Sequence, residues 1–121
     1  MIVGAVLAAA LAAAAPLKAG DGLDCTPGFD ALAAQMQARP KLAVYSGRDP
    51  LLGAFNDSAA LTLYAVTLPG HPAHPAFVKR KLNGAAPVET SACGYGDKAA
   101  FDRLLQEIDA LNAAVRKNYG G

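Results

Sequence analysis

The chain has 121 residues, of which 53% are apolar and 17% charged, and its formal net charge is +1 at pH 7. This length fits one domain, and the composition is too apolar and too weakly charged for a disordered chain. A near-neutral chain without tryptophan lacks the basic surface and the aromatic platforms of nucleic-acid-binding proteins. We therefore expect no nucleic-acid partner, and no motif predicts a cofactor.

The N-terminal segment is an almost uninterrupted apolar run, in which thirteen of the first fourteen residues are apolar. A membrane-spanning helix needs about 20 such residues, whereas a shorter run followed by small residues is typical of a secretory signal peptide. We expect residues 1–19 to be that signal peptide, cleaved before Ala15 or, as the second choice, before Gly20. A buried alanine-rich helix and a retained anchor are the alternatives. The remaining residues 20–121 form one domain, periplasmic or secreted, without stable membrane insertion.

The two cysteines, Cys25 and Cys93, both follow the apolar run. An even number of cysteines in a short exported chain favours a disulfide. A redox-active pair is the alternative, but the two residues are far apart and form no C-x-x-C motif. We expect one structural disulfide that joins the starts of the two predicted helices.

The predicted elements follow in chain order. Thr26 and Pro27 are expected to begin a helix that ends at Arg39–Pro40, because the residue before a proline avoids helical geometry. Strands are expected over residues 41–46, 60–68, 76–82 and 87–93, with a loop over 47–58. The strand over 60–68 is largely apolar on both faces, which favours a central position covered on both sides or nearly so.

The last predicted element is a helix capped by Asp97. Its apolar stripe comprises Phe101, Leu104, Leu105, Ile108, Leu111 and Val115. The whole order predicts an α+β domain with a small antiparallel sheet of about four strands. The sheet is flanked in sequence by two helices, which we expect to pack on one face.

A proline-rich connection precedes the third predicted strand. Pro69, Pro72 and Pro75 recur every third residue, the period of a polyproline II helix, so they would share one edge while His71 and His74 share another. We expect a stiff hairpin loop with both histidines exposed. A metal site on these histidines is the alternative, and it would need a third ligand. Asp49, Asp57 and Glu89 are candidates for that ligand.

The short basic run Lys79–Arg80–Lys81 lies just beyond this loop. Strand alternation places Lys79 and Lys81 on one face and Arg80 on the other, and we expect a solvated strand edge, with Glu89 opposite a lysine. An acidic partner or an anionic envelope polymer is the alternative. The predicted partner-binding surface comprises Pro69, His71, Pro72, His74, Pro75, Lys79 and Lys81.

Nucleophilic catalysis has little support. Ser46, Ser58 and Ser91 lie outside any G-x-S-x-G context, and the glycine-rich turn before Asp97 is only a weak anion cradle. We expect no catalytic residue. The sequence favours a non-enzymatic, inhibitor-like or binding protein whose partner is an unknown protein or envelope component. A metal-handling protein, or a small hydrolase, is the alternative.

Overall fold

A computed structural model of the chain describes residues 15–38, 43–45, 49–82 and 87–119. This part of the chain contains β1 (Leu17–Ala19), α1 (Phe29–Gln37), β2 (Ala43–Tyr45), β3 (Leu52–Asp57), β4 (Thr62–Thr67), β5 (Ala76–Lys81), β6 (Glu89–Gly94) and α2 (Lys98–Tyr119). The strands form one antiparallel sheet in the order β1-β6-β5-β4-β3-β2. The predicted α+β class, antiparallel sheet and single disulfide are confirmed.

The described sheet has six strands rather than about four. The prediction placed β3 in a loop because the segment 47–58 contains Asp49–Pro50 and the turn-forming run Asn56–Asp57–Ser58. Its ladder with β4 runs over six residue pairs, so strand pairing overrides the weak local preference. The three residues of β1 are too few to give a recognisable pattern. Because β1 pairs with β6, β6 is an interior strand of the described sheet, between β1 and β5.

The two helices pack on opposite faces of the sheet, so the prediction that they share one face is wrong. Alternate residues of β5 belong to different clusters. Ala76 and Val78 pack with Phe101 and other residues of α2, whereas Phe77 packs with residues of α1. The interior strands β4 and β5 carry apolar side chains on both faces. A different helix therefore has to pack against each face of the sheet.

The first helix begins at Phe29 after Gly28, not at Thr26. Thr26 and Pro27 lie in a turn, and Gly28 has φ +94°, which glycine tolerates best. The buried side chains of α1 are Leu32 and Met36, one helical turn apart.

The disulfide Cys25–Cys93 lies on the α1 face, with both residues buried. Because Cys93 is part of β6, the bridge links the segment before α1 to the sheet instead of joining the starts of the two helices. The Tyr95 hydroxyl donates a hydrogen bond to the Cys25 carbonyl oxygen at 2.8 Å. Burial, with a smaller effect of the Asp24 charge, raises the pKa of this phenol.

The second helix is capped as predicted, because the Ala100 N–H donates to Asp97 Oδ2 at 2.9 Å. Phe101, Leu104 and Ile108 are buried, but Leu111 is 53% exposed and Asn112 is buried beside it. The side chain of Val115 lies outside the described residues. Among the residues that the structure describes, no helix is long and apolar enough to cross a membrane.

Candidate functional site

The loop between β4 and β5 folds into two successive turns. The His71 N–H donates to the Leu68 carbonyl at 3.1 Å, and the His74 N–H donates to the His71 carbonyl at 3.0 Å. Gly70 supplies the left-handed backbone of the first turn, with φ +101°. An extended polyproline II helix has no such internal hydrogen bonds. The predicted edge shared by Pro69, Pro72 and Pro75 is therefore wrong, although Pro69 and Pro72 are exposed.

His71 is directed inward, with only 7% of its side chain exposed. Its Nδ1 accepts the Ala73 N–H at 2.9 Å, so the ring proton of the neutral imidazole is on Nε2. Nε2 lies 3.4 Å from Asp49 Oδ2. Both ring nitrogens thus have partners within the chain, and the prediction of an exposed His71 is wrong.

His74 is half-buried and is held by a different set of residues, so the exposure predicted for it is wrong as well. Its Nδ1 lies 2.8 Å from Thr67 Oγ1, and its ring packs edge-on against Phe29, with 5.1 Å between centroids. Thr67 is 2% exposed, and its Oγ1 also accepts the Ala76 N–H at 2.8 Å. This hydroxyl therefore ties His74 to the first residue of β5.

The two histidines face different helices. His71 lines a cleft beside α2, whereas His74 contacts Phe29 of α1. Asp57 and Glu89 lie at the end of the sheet remote from the loop, as the strand register shows. Within the described ranges, no group of three or more His, Cys, Asp or Glu side chains is arranged to hold a metal ion. The geometry gives the alternative of a shared His71/His74 metal site no support.

A shallow cleft of about 140 Å³ separates the loop from α2. Its walls are formed by Asp49, His71, Pro72, Ala100, Arg103, Leu104 and Glu107. Arg103 and Glu107 are exposed at its mouth, one turn apart on the helix. Sites for drug-sized molecules enclose about 300–1,000 Å³, so this cleft accommodates a single side chain or a comparably small polar group.

No pattern in the sequence connects the residues of this cleft. Arg103 and Glu107 fit an ordinary i, i+4 pair on the outer face of a helix, which is a common surface feature. Asp49 lies in a separate predicted loop. Only the packing of α2 against the sheet brings these elements to His71 and Pro72.

The sheet separates the cleft from the two lysines. Lys79 and Lys81 share the face of Phe77, which α1 partly covers, and Lys81 lies directly opposite Glu89 as predicted. Lys79 is half-buried and Lys81 exposed. The predicted partner-binding residues therefore do not form one continuous surface.

Arg80 lies on the opposite face, as its alternation predicts, but it is buried. Its Nε donates to Asn112 Oδ1 at 2.8 Å, and Asn112 Nδ2 donates to Thr90 Oγ1 at 3.0 Å. Because β5 lies between β4 and β6, the predicted solvated strand edge is wrong. The guanidinium is part of the interface between the sheet and α2.

Two of the remaining candidates for chemistry, Ser91 and the turn before α2, are also paired within the chain. Ser91 is buried and accepts the Gly22 N–H at 2.8 Å; Ser58 lies in an exposed turn, and Ser46 lies outside the described residues. In the turn before α2, the Tyr95 N–H donates to the Pro75 carbonyl at 2.9 Å. A side chain at Gly96 would place its Cβ 2.7 Å from the His74 carbonyl oxygen. This turn therefore packs against the His74 loop, and its Tyr95 N–H is not available to an anion.

A comparison of the chain with protein-family models, with curated proteins and with solved structures found no match.

Proposed function

We propose that this chain is an exported, disulfide-stabilised binding protein, and that it holds a protein partner of the cell envelope at the cleft between the 68–75 loop and α2. One observation carries the proposal. The histidines are paired internally, whereas the charged side chains of Arg103 and Glu107 are exposed at the mouth of the cleft.

The internal pairing favours binding over catalysis. A general base needs a ring nitrogen that can reach the substrate proton, and both nitrogens of His71 already have partners in the chain. The same hydrogen bonds fix the loop before any partner arrives. A preformed loop reduces the conformational entropy lost on binding.

The size and charge of the cleft favour a protein partner. Its volume of about 140 Å³ fits one side chain, and its walls carry both signs of charge, from Arg103 and from Asp49 and Glu107. A cleft with charges of both signs at its mouth is complementary to a charged or amide side chain on the surface of a larger protein. Charge complementarity of this kind supplies specificity and speeds association.

Two features support export. The apolar run at the N-terminus has the length and the small following residues of a signal peptide, and the disulfide is of the kind that persists in oxidising compartments. The proposal therefore places the partner in the periplasm or outside the cell.

The test is capture of partners from the envelope fraction by the full chain carrying a C-terminal tag. Wild type and Asp109→Lys should retain the same envelope protein, and Glu107→Lys should lose it. Asp109 is the matched control because it is exposed on α2, two residues from Glu107 and directed to another side of the helix. Equal capture by all three forms would contradict the cleft. A chain found in the cytoplasm with two free thiols would contradict export.

A further inference from the structure

The strand β1 is integrated into the domain, although the second predicted cleavage site would remove it. Its register with β6 pairs Leu17 with Gly94, Lys18 with Cys93 and Ala19 with Ala92. Leu17 and Ala19 are half-buried and pack against the core between the sheet and α2. Lys18 projects to the other face and is exposed. This alternation is typical of a strand with one buried face.

The chain after β1 remains attached to β6. Gly20 has φ +70°, and a Cβ at this position would lie 2.4 Å from the Thr90 carbonyl oxygen. The backbones at Gly20 and Thr90 are therefore too close together for a residue with a side chain. The Gly22 N–H then donates to Ser91 Oγ at 2.8 Å. Cys25 finally bonds covalently to Cys93. The whole segment from Leu17 to Cys25 thus follows one edge of the sheet.

From these contacts we infer that export processing cuts the chain between Ala14 and Ala15, so that the mature protein begins at Ala15 and keeps β1 as its edge strand. The inference rests on the proposed export. The reaction is hydrolysis by a signal peptidase: one water molecule is consumed, Ala14 receives the new carboxylate and Ala15 the new amino group.

Two independent arguments favour this position over a cut before Gly20. Cleavage before Gly20 would remove all of β1, uncovering backbone groups of β6 and the apolar contacts of Leu17 and Ala19. Cleavage before Ala15 leaves only Ala15 and Pro16, both exposed, ahead of the strand. The recognition positions also differ. They are Ala12 and Ala14 for the first site but Leu17 and Ala19 for the second, and signal peptidases prefer small residues at both.

The experiment is the intact mass of the full-length chain after export from a bacterial host, measured on the oxidised protein. The mass should correspond to a start at Ala15. Ala14→Leu should abolish this species, whereas Ala13→Leu, at the intervening position, should leave it unchanged. An exported, oxidised chain that starts at Gly20 would overturn the inference and leave the proposed function intact. A chain that keeps Met1 and free thiols in the cytoplasm would contradict both.

A second measurement tests the retained strand itself. In the exported protein, Leu17→Asp should lower the melting temperature by several degrees, because it places a carboxylate against the α2 core. Lys18→Asp is the matched control in the same strand, and its melting temperature should stay close to that of wild type. Equal melting temperatures for the two variants would overturn the role of β1, wherever the cleavage occurs.

Discussion

At the scale of single residues, internal hydrogen bonds define the role of the two histidines. A proline directly after each histidine suggests a stiff, open loop, but the turns direct His71 toward Asp49 and His74 toward Thr67. A buried backbone N–H needs an acceptor, and His71 provides one for Ala73. His71 therefore stabilises the folded loop, and the loop in turn forms one wall of the cleft.

We expect His71→Ala to lower the free energy of unfolding by about 1–3 kcal/mol, because the Ala73 N–H loses its acceptor. His71→Asn should recover part of this loss, since its side-chain oxygen can take the place of Nδ1. Urea denaturation of the three proteins measures the difference. If the alanine and asparagine variants were equally stable, the Ala73 hydrogen bond would not be the cause.

Gly94 is a position where a single methyl group matters. A Cβ at this residue would lie 2.6 Å from Cδ1 of Phe101, which is buried at the start of α2. Gly94→Ala should therefore destabilise the protein by about 1–3 kcal/mol, through overpacking. Gly53→Ala is the control within a strand, because its Cβ would meet its nearest neighbour at 3.6 Å. If thermal unfolding showed Gly53→Ala to be less stable than Gly94→Ala, overpacking against Phe101 would not be the cause.

At the scale of elements, the buried side of α2 changes character along its length. Phe101, Leu104 and Ile108 form an apolar contact, and Asn112 continues the same side with hydrogen bonds to Arg80 and Thr90. An ideal helix has 3.6 residues per turn, so the sequence alone cannot distinguish Leu111 from Asn112 as the next buried position. The apolar side chain of Leu111 predicts that this residue is the buried one. Asn112 is buried instead, because Arg80 of β5 and Thr90 of β6 provide its hydrogen-bond partners.

Substitutions at these adjacent positions separate the two interpretations. Asn112→Ala should lower the unfolding free energy by about 2–3 kcal/mol, because it removes a hydrogen-bond acceptor from the buried guanidinium of Arg80. Leu111→Ala should cost less than about 1 kcal/mol, since this side chain is 53% exposed. Guanidinium denaturation measures both. A larger loss for Leu111→Ala would restore the apolar stripe that the sequence predicts.

At the scale of the whole molecule, the disulfide connects residues 68 positions apart. On the chain-entropy model, a loop of this length contributes about 4 kcal/mol by restricting the unfolded chain. Small domains are stable by only about 5–15 kcal/mol in total. The disulfide is therefore a large part of what keeps the sheet and α1 together.

The double variant Cys25→Ser, Cys93→Ser should lose about 4 kcal/mol of unfolding free energy relative to the oxidised wild type. Calorimetric unfolding provides the measurement, with the reduced wild-type protein as a second reference. A double variant as stable as the oxidised protein would show that the bridge does not stabilise the fold. Peptide mapping without reductant should find Cys25 and Cys93 linked.

Sequence patterns were enough to predict the α+β class, the antiparallel order of the longer strands, the disulfide and the cap at Asp97. Each of these depends on local patterns or on simple pairing of cysteines. The apolar character of both faces of residues 60–68 also indicated a central strand covered on both sides, and Ala65 and Val66 of β4 do pack in different clusters.

Long-range packing, in contrast, determines which face each helix covers, which short segments become strands, and where the histidines point. Strand pairing made β3 from a segment rich in turn-forming residues and attached β1 to β6. The cleft combines a loop, a turn and one side of α2, elements that have no shared local signal in the sequence. Local preferences amount to fractions of a kcal/mol per residue, whereas burial of a whole face contributes several times more, so packing decides wherever the two disagree.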